Sequence, residues 1–430
     1  MVNVEGCLGL ALLLVLLLRS KAGERARQDL DRWDAVALAS VALLVAAAFW
    51  RSAGYYFLSD DFVLLRHARE FNARAVFITG GGDGFFRPLG YALMAWTWPW
   101  AGEDPVRWHA VGFVLHALNS MLVFALARAL GFSRFAGWLA AALFAIHATR
   151  PEAVVWIAGR FDLLATFFVL LALLSFMRRW LWLALIAMIA GMLSKETAYA
   201  CPLLMALTLS GSWRKRAWTL SPFLAAAAGM FAYRWYLFGG IGGYVTAAGK
   251  PLPLGISQTL KVLGLRLWAI LFFPVNWSIP PGAALAVAMA IYLAALVWMA
   301  WRRVDRTQLV VAIGFVLLAA LPALQQLLIG ADLLKSRHLY LPSVGFCLLL
   351  AAAVEQGRGK LRWGVAVAVL TFNLVALSHN LVAWESAARI SKSACVAAVE
   401  GLPRILNGVY LFQNGFSECV QMERRSKVVP

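Results

Sequence analysis

Apolar runs recur along the whole chain, and short polar segments separate them. A helix needs about 20 apolar residues to cross ~30 Å of hydrocarbon, and many of these runs approach that length. We predict spans near residues 35–57, 109–130, 135–147, 163–177, 180–194, 198–210, 218–237, 283–301, 308–329, 341–354 and 364–380. A further run at 7–18 is short for a span, but residues 2–18 can cross if the bilayer thins, so whether this segment crosses stays open. The pattern therefore predicts an all-α, polytopic bundle of about 11–12 transmembrane helices.

Basic residues gather in the segment before the first predicted span and in every second loop after it. Cytoplasmic loops carry such an excess of Arg and Lys. These residues are Arg19, Lys21, Arg25, Arg27, Arg32, Arg128, Arg134, Arg178, Arg179, Arg214, Lys215, Arg216, Arg302, Arg303, Arg306, Arg358, Lys360 and Arg362. The loops between them are predicted to face outward: 51–108, 148–162, 195–197, 239–258, 276–282, 330–340 and the tail from 381. The run at 259–275 must return to the side where it starts, which favours an interfacial or re-entrant helix.

Composition agrees with a membrane protein. Hydrophobic residues make up 62% of the 430 residues and charged residues 14%, and the mean hydropathy is +0.75. A soluble chain of this length could not keep so much apolar surface away from water. The net charge of +18 would suggest nucleic acid in a soluble protein. Here the basic loops account for the charge, so no nucleic-acid partner is predicted.

The chain divides into two predicted segments. Residues 1–380 form a membrane domain whose first outer loop is 51–108, and residues 381–430 form a short extracytoplasmic helical tail. We interpret the tail as one helical hairpin that turns at residues 401–403. Cys395 and Cys419 lie in this tail and can pair if it is extracytoplasmic.

The sharpest candidate for chemistry is the adjacent pair Asp60 and Asp61, just beyond the outer end of the first predicted span. Carboxylates at that depth are costly unless they are solvated or paired. Ser59 or either Asp can cap the helix that follows, but one carboxylate is enough for capping. The functional interpretation makes one Asp a general base on an acceptor hydroxyl and the other its orienting partner.

The second outer loop concentrates charged residues that a simple turn does not need. In HATRPEAVVWIAGRFD, the candidate substrate residues are Glu152 and Arg160, with His147, Arg150 and Asp162 beside them. Arginines in this position suit a phosphate, because a guanidinium binds two phosphate oxygens at once. The alternative is local ion pairing, of Glu152 with Arg150 or of Arg160 with Asp162. His147 has no partner at a metal-ligand spacing, so zinc is not predicted.

Three further positions place charge where the chain enters or leaves the membrane. Arg87 in FFRPLG is either an interfacial anchor or a phosphate contact. Lys195 and Glu196 are either a self-compensated pair at a tight turn or part of a functional site. Arg337, in KSRHLYLPSVGF, offers positive charge to a lipid headgroup together with Lys335 and His338, and Tyr340 is a candidate hydrogen-bond donor.

The sequence gives no sign of a nucleotide site. The Gly-rich segment 80–84 lacks the Lys-Ser/Thr of a phosphate-binding loop, and no GxSxG or CxxC motif is present. The energy for any chemistry must therefore arrive in an activated substrate, and a membrane-embedded polyprenyl-phosphate sugar would supply it. No cofactor is predicted, and dependence on a divalent metal stays open.

Taken together and in this order, these motifs resemble the GT-C class of polytopic glycosyltransferases. They are most similar to the membrane domain of the transmembrane and tetratricopeptide-repeat O-mannosyltransferases and of their bacterial relatives. The matching pieces are SDDF (59–62), FRPL (86–89), HALNSMLVFALAR (116–128), LFAIHATRPEAVVWIAGRFDLLA (143–165), LSKETA (193–198), LFFPVNWS (271–278) and SRHLYLPSVGF (336–346). The chain departs from the family at Ala148, where a Pro is usual, and the long repeat array is reduced to the tail from about 381.

The resemblance implies a hexosyltransferase, for example a mannosyltransferase, that uses a lipid-phosphate sugar and inverts the anomeric centre. It places the acidic pair at Asp60 and Asp61 on the acceptor side. The family's other functional positions fall on Arg87, Glu152, Arg160, Lys195, Glu196 and Arg337. Together with Tyr340, these are the predicted donor phosphate and substrate residues. The acceptor is a protein, a glycan or a lipid, and the expected location is a bacterial inner membrane with the active site facing outward. A lipid-linked sugar transporter and a non-catalytic membrane assembly protein remain the alternatives.

Overall fold

The computed structural model describes residues 31–79, 84–243, 256–302 and 304–399. Every regular element in these ranges is a helix, which confirms the all-α prediction. The apolar run at 2–18, most of the Gly-rich segment, the predicted turn at 401–403 and Cys419 lie outside the described residues.

Seventeen α-helices are described, numbered here in chain order, and short 3₁₀ segments separate several of them. They are α1 Arg32–Phe49, α2 Asp61–Arg69, α3 Ala73–Thr79, α4 Pro88–Ala101, α5 Pro105–Ala129, α6 Arg134–Ile146, α7 Pro151–Val154, α8 Arg160–Met177, α9 Leu181–Met192, α10 Cys201–Leu207, α11 Trp213–Phe238, α12 Ile256–Lys261, α13 Leu267–Phe272, α14 Ala283–Ala300, α15 Arg306–Ala320, α16 Pro342–Glu355 and α17 Gly359–Val399. A π-helical turn at Val262–Arg266 joins α12 to α13.

Six helical segments of the described residues are long and apolar enough to cross a membrane: Arg32–Gly54, Pro105–Ala129, Ile157–Met177, Ala283–Ala300, Arg306–Gln326 and Gly359–Ala397. Three shorter apolar helices, α6, α9 and α16, accompany them. The protein is therefore a polytopic membrane protein, as its composition indicates. The total of about 11–12 spans remains a prediction.

The centre of the bundle is formed by α5, α6, α8 and α16, whose residues are mostly buried. Helices in a membrane gain no hydrophobic driving force when they associate, so they depend on close packing. Small residues at a crossing allow the two backbones to approach closely. Gly345 on α16 shows this most clearly, because a Cβ there would lie 2.5 Å from the Ala312 carbonyl oxygen of α15. Only glycine fits at this crossing.

The last described helix, α17, runs for 41 residues and does not end at residue 380, where the last span was predicted to end. Polar residues at the predicted end of this span are hydrogen-bonded inside the bundle. Asn380 Nδ2 donates to the carbonyls of Ala148 and Pro274, both at 2.7 Å, and the His379 Nε2 lies 3.0 Å from the Asn276 carbonyl. The helix therefore crosses the predicted domain boundary without a break, and the division at 381 stays a prediction.

The far part of α17 reaches the first predicted outer loop. Ser391 Oγ donates to the Phe57 carbonyl at 2.7 Å. Cys395 is buried in a cluster with Phe57, Phe62 and Trp108, and it is disulfide-bonded. These contacts place the start of the tail and the first loop at the same end of the bundle.

Candidate functional site

The two adjacent aspartates have different surroundings. Asp61 is only 2% exposed, and its two carboxylate oxygens accept the amides of Leu58 and Ala158, each at 3.0 Å. Asp60 is exposed, and within the described residues its carboxylate caps no helix. Ser59, which precedes it, has a φ of 48°, a left-handed conformation that costs a non-glycine residue energy. The turn therefore buries one carboxylate and presents the other.

Burial raises the pKa of Asp61 to about 7, although the two amides and the nearby Arg160 act in the opposite direction. A carboxyl with this pKa has a suitable basicity for proton transfer at neutral pH. Its geometry does not fit that role, because both oxygens are occupied and the side chain borders neither of the cavities described next. Asp61 fixes the loop, and Asp60 is the carboxylate that a substrate can reach.

Asp60 borders a cavity of about 480 Å³, which we call the Asp60 cavity. Arg87, Trp156, Lys195 and Arg337 also line it. These residues come from the first outer loop, the second outer loop and the segments before α10 and α16. The fold thus brings a carboxylate and three cations from distant parts of the sequence to one space.

A second cavity of about 440 Å³, the Glu196 cavity, lies against the first. Phe85, Arg87 and Lys195 line both cavities and form their shared wall. The Glu196 cavity adds Arg234 from α11 to these cations. Its remaining lining is partly apolar: Tyr199, Phe231, Leu321, Pro322 and Ala323. A cationic wall beside an apolar lining suits a molecule with an anionic head and a hydrophobic chain.

Glu196 joins two arginines in this wall. Its carboxylate accepts Arg87 Nη2 at 2.8 Å and Arg87 Nε at 3.1 Å, and it accepts Arg234 Nη1 at 2.8 Å. Burial acts to raise the pKa of Glu196, but Arg87 and Arg234 outweigh it and lower the pKa to about 2. Among the described residues, one carboxylate thus pairs with two guanidinium groups in this wall.

Arg234 did not emerge from the sequence analysis. It is 6% exposed and lies in the aromatic-rich stretch MFAYRWYLF of α11, where a lone arginine needs a partner. An isolated charge inside an apolar helix often marks a functional position, and this pattern identifies Arg234 as a candidate in the sequence.

Lys195 pairs with Asp162 rather than with Glu196. The Lys195 Nζ lies 2.5 Å from Asp162 Oδ2, and the two side chains are 5% and 3% exposed. Burial lowers the pKa of Lys195 to about 8, although Asp162 acts to raise it. Within the described residues, the predicted pairs Lys195–Glu196 and Arg160–Asp162 do not form, so both local interpretations are wrong.

Arg337 is held by Glu152, whose carboxylate accepts both its guanidinium and its backbone amide. The Arg337 guanidinium lies 4.7 Å above the Trp156 ring. Glu152 also accepts the Lys335 amide at 3.0 Å, so the predicted pair of Glu152 with Arg150 does not form in the described structure. Glu152 lines neither cavity and acts by fixing Arg337, which lines the Asp60 cavity.

Two residues predicted to contact substrate are buried away from both cavities. Arg160 donates to the Trp108 carbonyl and lies 4.7 Å above the Trp108 ring. The Tyr340 hydroxyl lies 2.7 Å from His116 Nδ1 and accepts Asn119 Nδ2 at 3.2 Å. Neither residue borders the Asp60 or the Glu196 cavity, and their contacts hold helices together.

The loop residues His147 and Arg150 are also structural. His147 Nε2 lies 3.0 Å from the Leu271 carbonyl. Arg150 is fully buried, donates to the Phe144 carbonyl at 2.7 Å and to Ser343 Oγ at 2.6 Å, and thereby connects α6 to α16. Among the described residues, no group of three His, Cys, Asp or Glu side chains has the arrangement of a metal site.

Comparison with known proteins identifies relatives for this chain. Protein O-mannosyl-transferase Tmtc1 of Drosophila melanogaster is 38% identical over 137 residues, which are 30% of this chain and 16% of that protein. Protein O-mannosyl-transferase Tmtc2 of the same species is 38% identical over 143 residues, which are 30% of this chain and 15% of that protein. Human Protein O-mannosyl-transferase TMTC4 is 24% identical over 374 residues, which are 68% of this chain and 50% of that protein.

The chain thus spans half or less of the length of these relatives. No protein-family profile matches it, and no solved structure matches it. The matches nevertheless agree with the resemblance that the motifs predicted. The chain is a polytopic membrane protein that is similar in sequence, over part of its length, to the TMTC protein O-mannosyl-transferases, and that predicted resemblance is confirmed.

Proposed function

We propose that this protein is a membrane glycosyltransferase that moves a hexose, such as mannose, from a polyprenyl-phosphate donor to a hydroxyl group. The observation that carries the proposal is the shared wall of the two cavities. Asp60 borders one cavity, Glu196 and Arg234 border the other, and the cations Arg87 and Lys195 face both. A base on one side and cations on the other are the groups that a displacement at an anomeric carbon requires.

The donor takes the Glu196 cavity in this proposal. Its phosphate lies against Arg87, Lys195 and Arg234, and its polyprenyl chain follows the apolar lining. Guanidinium groups bind phosphate oxygens in pairs, which fixes the orientation of the sugar–phosphate bond. The sugar then extends across the shared wall toward Asp60.

The acceptor takes the Asp60 cavity. Its hydroxyl oxygen forms a bond to the anomeric carbon as the bond from that carbon to the phosphate oxygen breaks. The bonding electrons leave with the phosphate, and the hydroxyl proton passes to the Asp60 carboxylate. Attack from the side opposite the phosphate inverts the anomeric centre. The departing phosphate gains negative charge, which the wall cations stabilise, so no separate acid is needed.

The reaction is assigned to the extracytoplasmic side. The lining residues Asp60, Arg87, Lys195, Glu196 and Arg337 lie in loops that alternate with the Arg- and Lys-rich loops, as the positive-inside rule predicts for outer loops. The disulfide at Cys395, at the same end of the bundle, is typical of an oxidising compartment and supports this side. Protein, glycan and lipid hydroxyls all remain acceptor candidates. The relatives are named protein O-mannosyl-transferases, which favours mannose and a protein acceptor.

The experiment that tests this function uses the full chain purified in detergent. Radiolabelled polyprenyl-phosphate mannose is the donor, and Ser- and Thr-containing peptides, glycans and lipids are tested as acceptors. We expect a labelled product with inverted anomeric configuration and release of polyprenyl phosphate. Movement of intact donor across a proteoliposome bilayer without cleavage would contradict the proposal and favour the transporter alternative. Binding of donor with neither cleavage nor movement would also contradict it and favour an assembly protein.

Arg337 lines the Asp60 cavity, into which the donor sugar extends in this proposal, so Arg337→Lys is expected to weaken the use of the donor. A lysine keeps the charge but lacks the rigid planar fork that can hold Glu152 and a substrate oxygen in fixed positions, and it loses the planar contact with Trp156. A charge-assisted hydrogen bond is worth about 1.5–3 kcal/mol, so the KM for the donor should rise about 10–100-fold. The measurement is the donor dependence of the initial rate, with thermal stability recorded in parallel. Arg389→Lys, at an exposed position, is the matched control. An unchanged donor KM in both Arg337→Lys and Arg337→Ala would leave Arg337 with a structural role only.

A further inference from the structure

His338 is the most unusual polar side chain in the wall of the Glu196 cavity. It lies in the 3₁₀ segment Ser336–Leu339 and is 3% exposed. Neither of its ring nitrogens has a hydrogen-bond partner among the described residues. Buried polar groups are almost always hydrogen-bonded, so an imidazole with two unsatisfied nitrogens requires an explanation.

The surroundings of His338 are cationic. Lys195, Arg337, Arg87 and Lys335 are the charged groups that act on its ring. Burial and these cations hold the pKa of His338 well below its ordinary value, so the imidazole is neutral at physiological pH. The sequence had suggested that His338 adds positive charge to a lipid headgroup. A neutral ring offers instead one N–H donor and one acceptor nitrogen.

We propose that His338 donates a hydrogen bond to the phosphate group of a prenyl lipid that binds in the Glu196 cavity. The ring borders this cavity together with Arg87, Lys195 and Arg234, which supply the positive charge that a phosphate needs. A neutral donor adds direction without adding a further charge to a wall that is already cationic. This inference deepens the proposed function, and it rests on that proposed function for the assignment of the phosphate to a lipid.

The phosphate in this site can in principle come from a lipid or from solution. The Glu196 cavity also carries Phe231, Leu321 and Pro322, which an inorganic phosphate cannot use. Each CH₂ group of a chain that is buried against such residues tightens binding about fourfold. A prenyl phosphate should therefore bind far more tightly than inorganic phosphate.

The test measures binding without sugar transfer. Citronellyl phosphate, a short prenyl monophosphate, is titrated calorimetrically into the full chain in detergent, and inorganic phosphate is titrated in a parallel series. We expect inorganic phosphate to bind at least about 100-fold more weakly, by the chain-burial argument.

For His338→Phe, we expect the Kd for citronellyl phosphate to rise about 10–100-fold, the loss typical of a hydrogen bond to a charged group. Asn and Gln each place a side-chain NH₂ group close to the position of one histidine ring nitrogen. His338→Asn or His338→Gln should therefore recover most of the affinity. His379→Phe, which changes a histidine that lines neither cavity, is the control and should bind normally.

A second measurement uses the unsubstituted protein, so it does not depend on the folding of any variant. Histidine-selective ¹⁵N labelling should show one ring N–H resonance that moves when citronellyl phosphate is added. That resonance should be absent from His338→Phe. A purely structural histidine would not respond to the ligand.

Unchanged affinity in folded His338→Phe, or a ligand that moves no histidine resonance, would overturn the inference. Equal affinity for inorganic and citronellyl phosphate would overturn the assignment to a lipid. Because no sugar is present, these results are independent of the transfer assay. Prenyl phosphate that binds through His338 without any sugar transfer would support this site and contradict the proposed function.

Discussion

Replacing Asp60 by Asn is expected to lower the rate of sugar transfer by about 10²–10⁴-fold, the usual contribution of a general base. Asn has almost the same shape as Asp but cannot accept a proton at neutral pH. Asp60 is exposed and caps no helix among the described residues, so the free energy of unfolding should change little. The same substitution at the neighbouring position should behave differently.

Asp61→Asn is expected to destabilise the protein by about 1–3 kcal/mol. Both Asp61 oxygens accept backbone amides, from Leu58 and from Ala158. An Asn side chain has one oxygen and one NH₂ group, so it would direct a donor at one of these amides and leave that amide unsatisfied. The two substitutions therefore separate the chemical role from the structural one.

The measurement compares the two variants in one preparation series. Initial rates of transfer at saturating donor report the chemical step, and thermal midpoints in detergent report stability. Asp60→Glu is a useful companion, because it keeps a carboxylate but moves it, and partial activity is expected. A near-normal rate in folded Asp60→Asn would show that Asp60 is not the base.

Removing the charge of Lys195 is expected to be the most disruptive single change in the shared wall. Lys195→Met leaves the Asp162 carboxylate, 3% exposed, without its partner. Breaking a buried pair in this way typically costs about 3–5 kcal/mol. Adding Asp162→Leu removes the unpaired charge, and replacing a buried pair by apolar residues is often neutral, so the double variant should recover most of the lost stability.

Sugar transfer should not recover with stability. Lys195 lines both cavities, so the restored double variant would still lack a cation beside the donor phosphate. We expect the double variant to unfold at nearly the same midpoint as the unsubstituted protein and to transfer sugar at least about 10-fold more slowly, the loss expected for one charge-assisted contact. Stability is measured by thermal unfolding in detergent and transfer by product formation. Normal transfer by the double variant would reduce Lys195 to a structural partner of Asp162.

The sequence by itself determined the class of the protein and the residue types of its site. Continuous apolar runs of membrane-crossing length form helices in lipid, because no water is available there and a helix satisfies the backbone groups within the run. The all-α bundle was therefore predictable, and the order of the motifs made the resemblance to O-mannosyltransferases predictable. Charged residues at the ends of apolar segments are costly, which made Arg87, Lys195, Glu196 and Arg337 visible as candidates.

The sequence did not decide which of these charges pair, and its nearest-neighbour interpretations were wrong. Lys195 pairs with Asp162 and Arg337 with Glu152, which are 33 and 185 residues apart. Glu196 binds Arg87, 109 residues away, and Arg234, which the sequence analysis did not select. Side chains that are adjacent in a loop point in different directions, and only the packing of helices brings distant charges within hydrogen-bond distance.

The tertiary structure also decided the roles within the acidic pair and within the arginines. Ser59 turns the chain so that Asp61 enters the protein and Asp60 faces a cavity, a difference that two identical neighbouring residues cannot reveal. Arg160 and Tyr340 have the right residue type but lie against Trp108 and His116 instead of a cavity. Residue type and spacing determine which groups need a partner. Which partner each group binds depends on the burial and the direction of its side chain, and both depend on the complete fold.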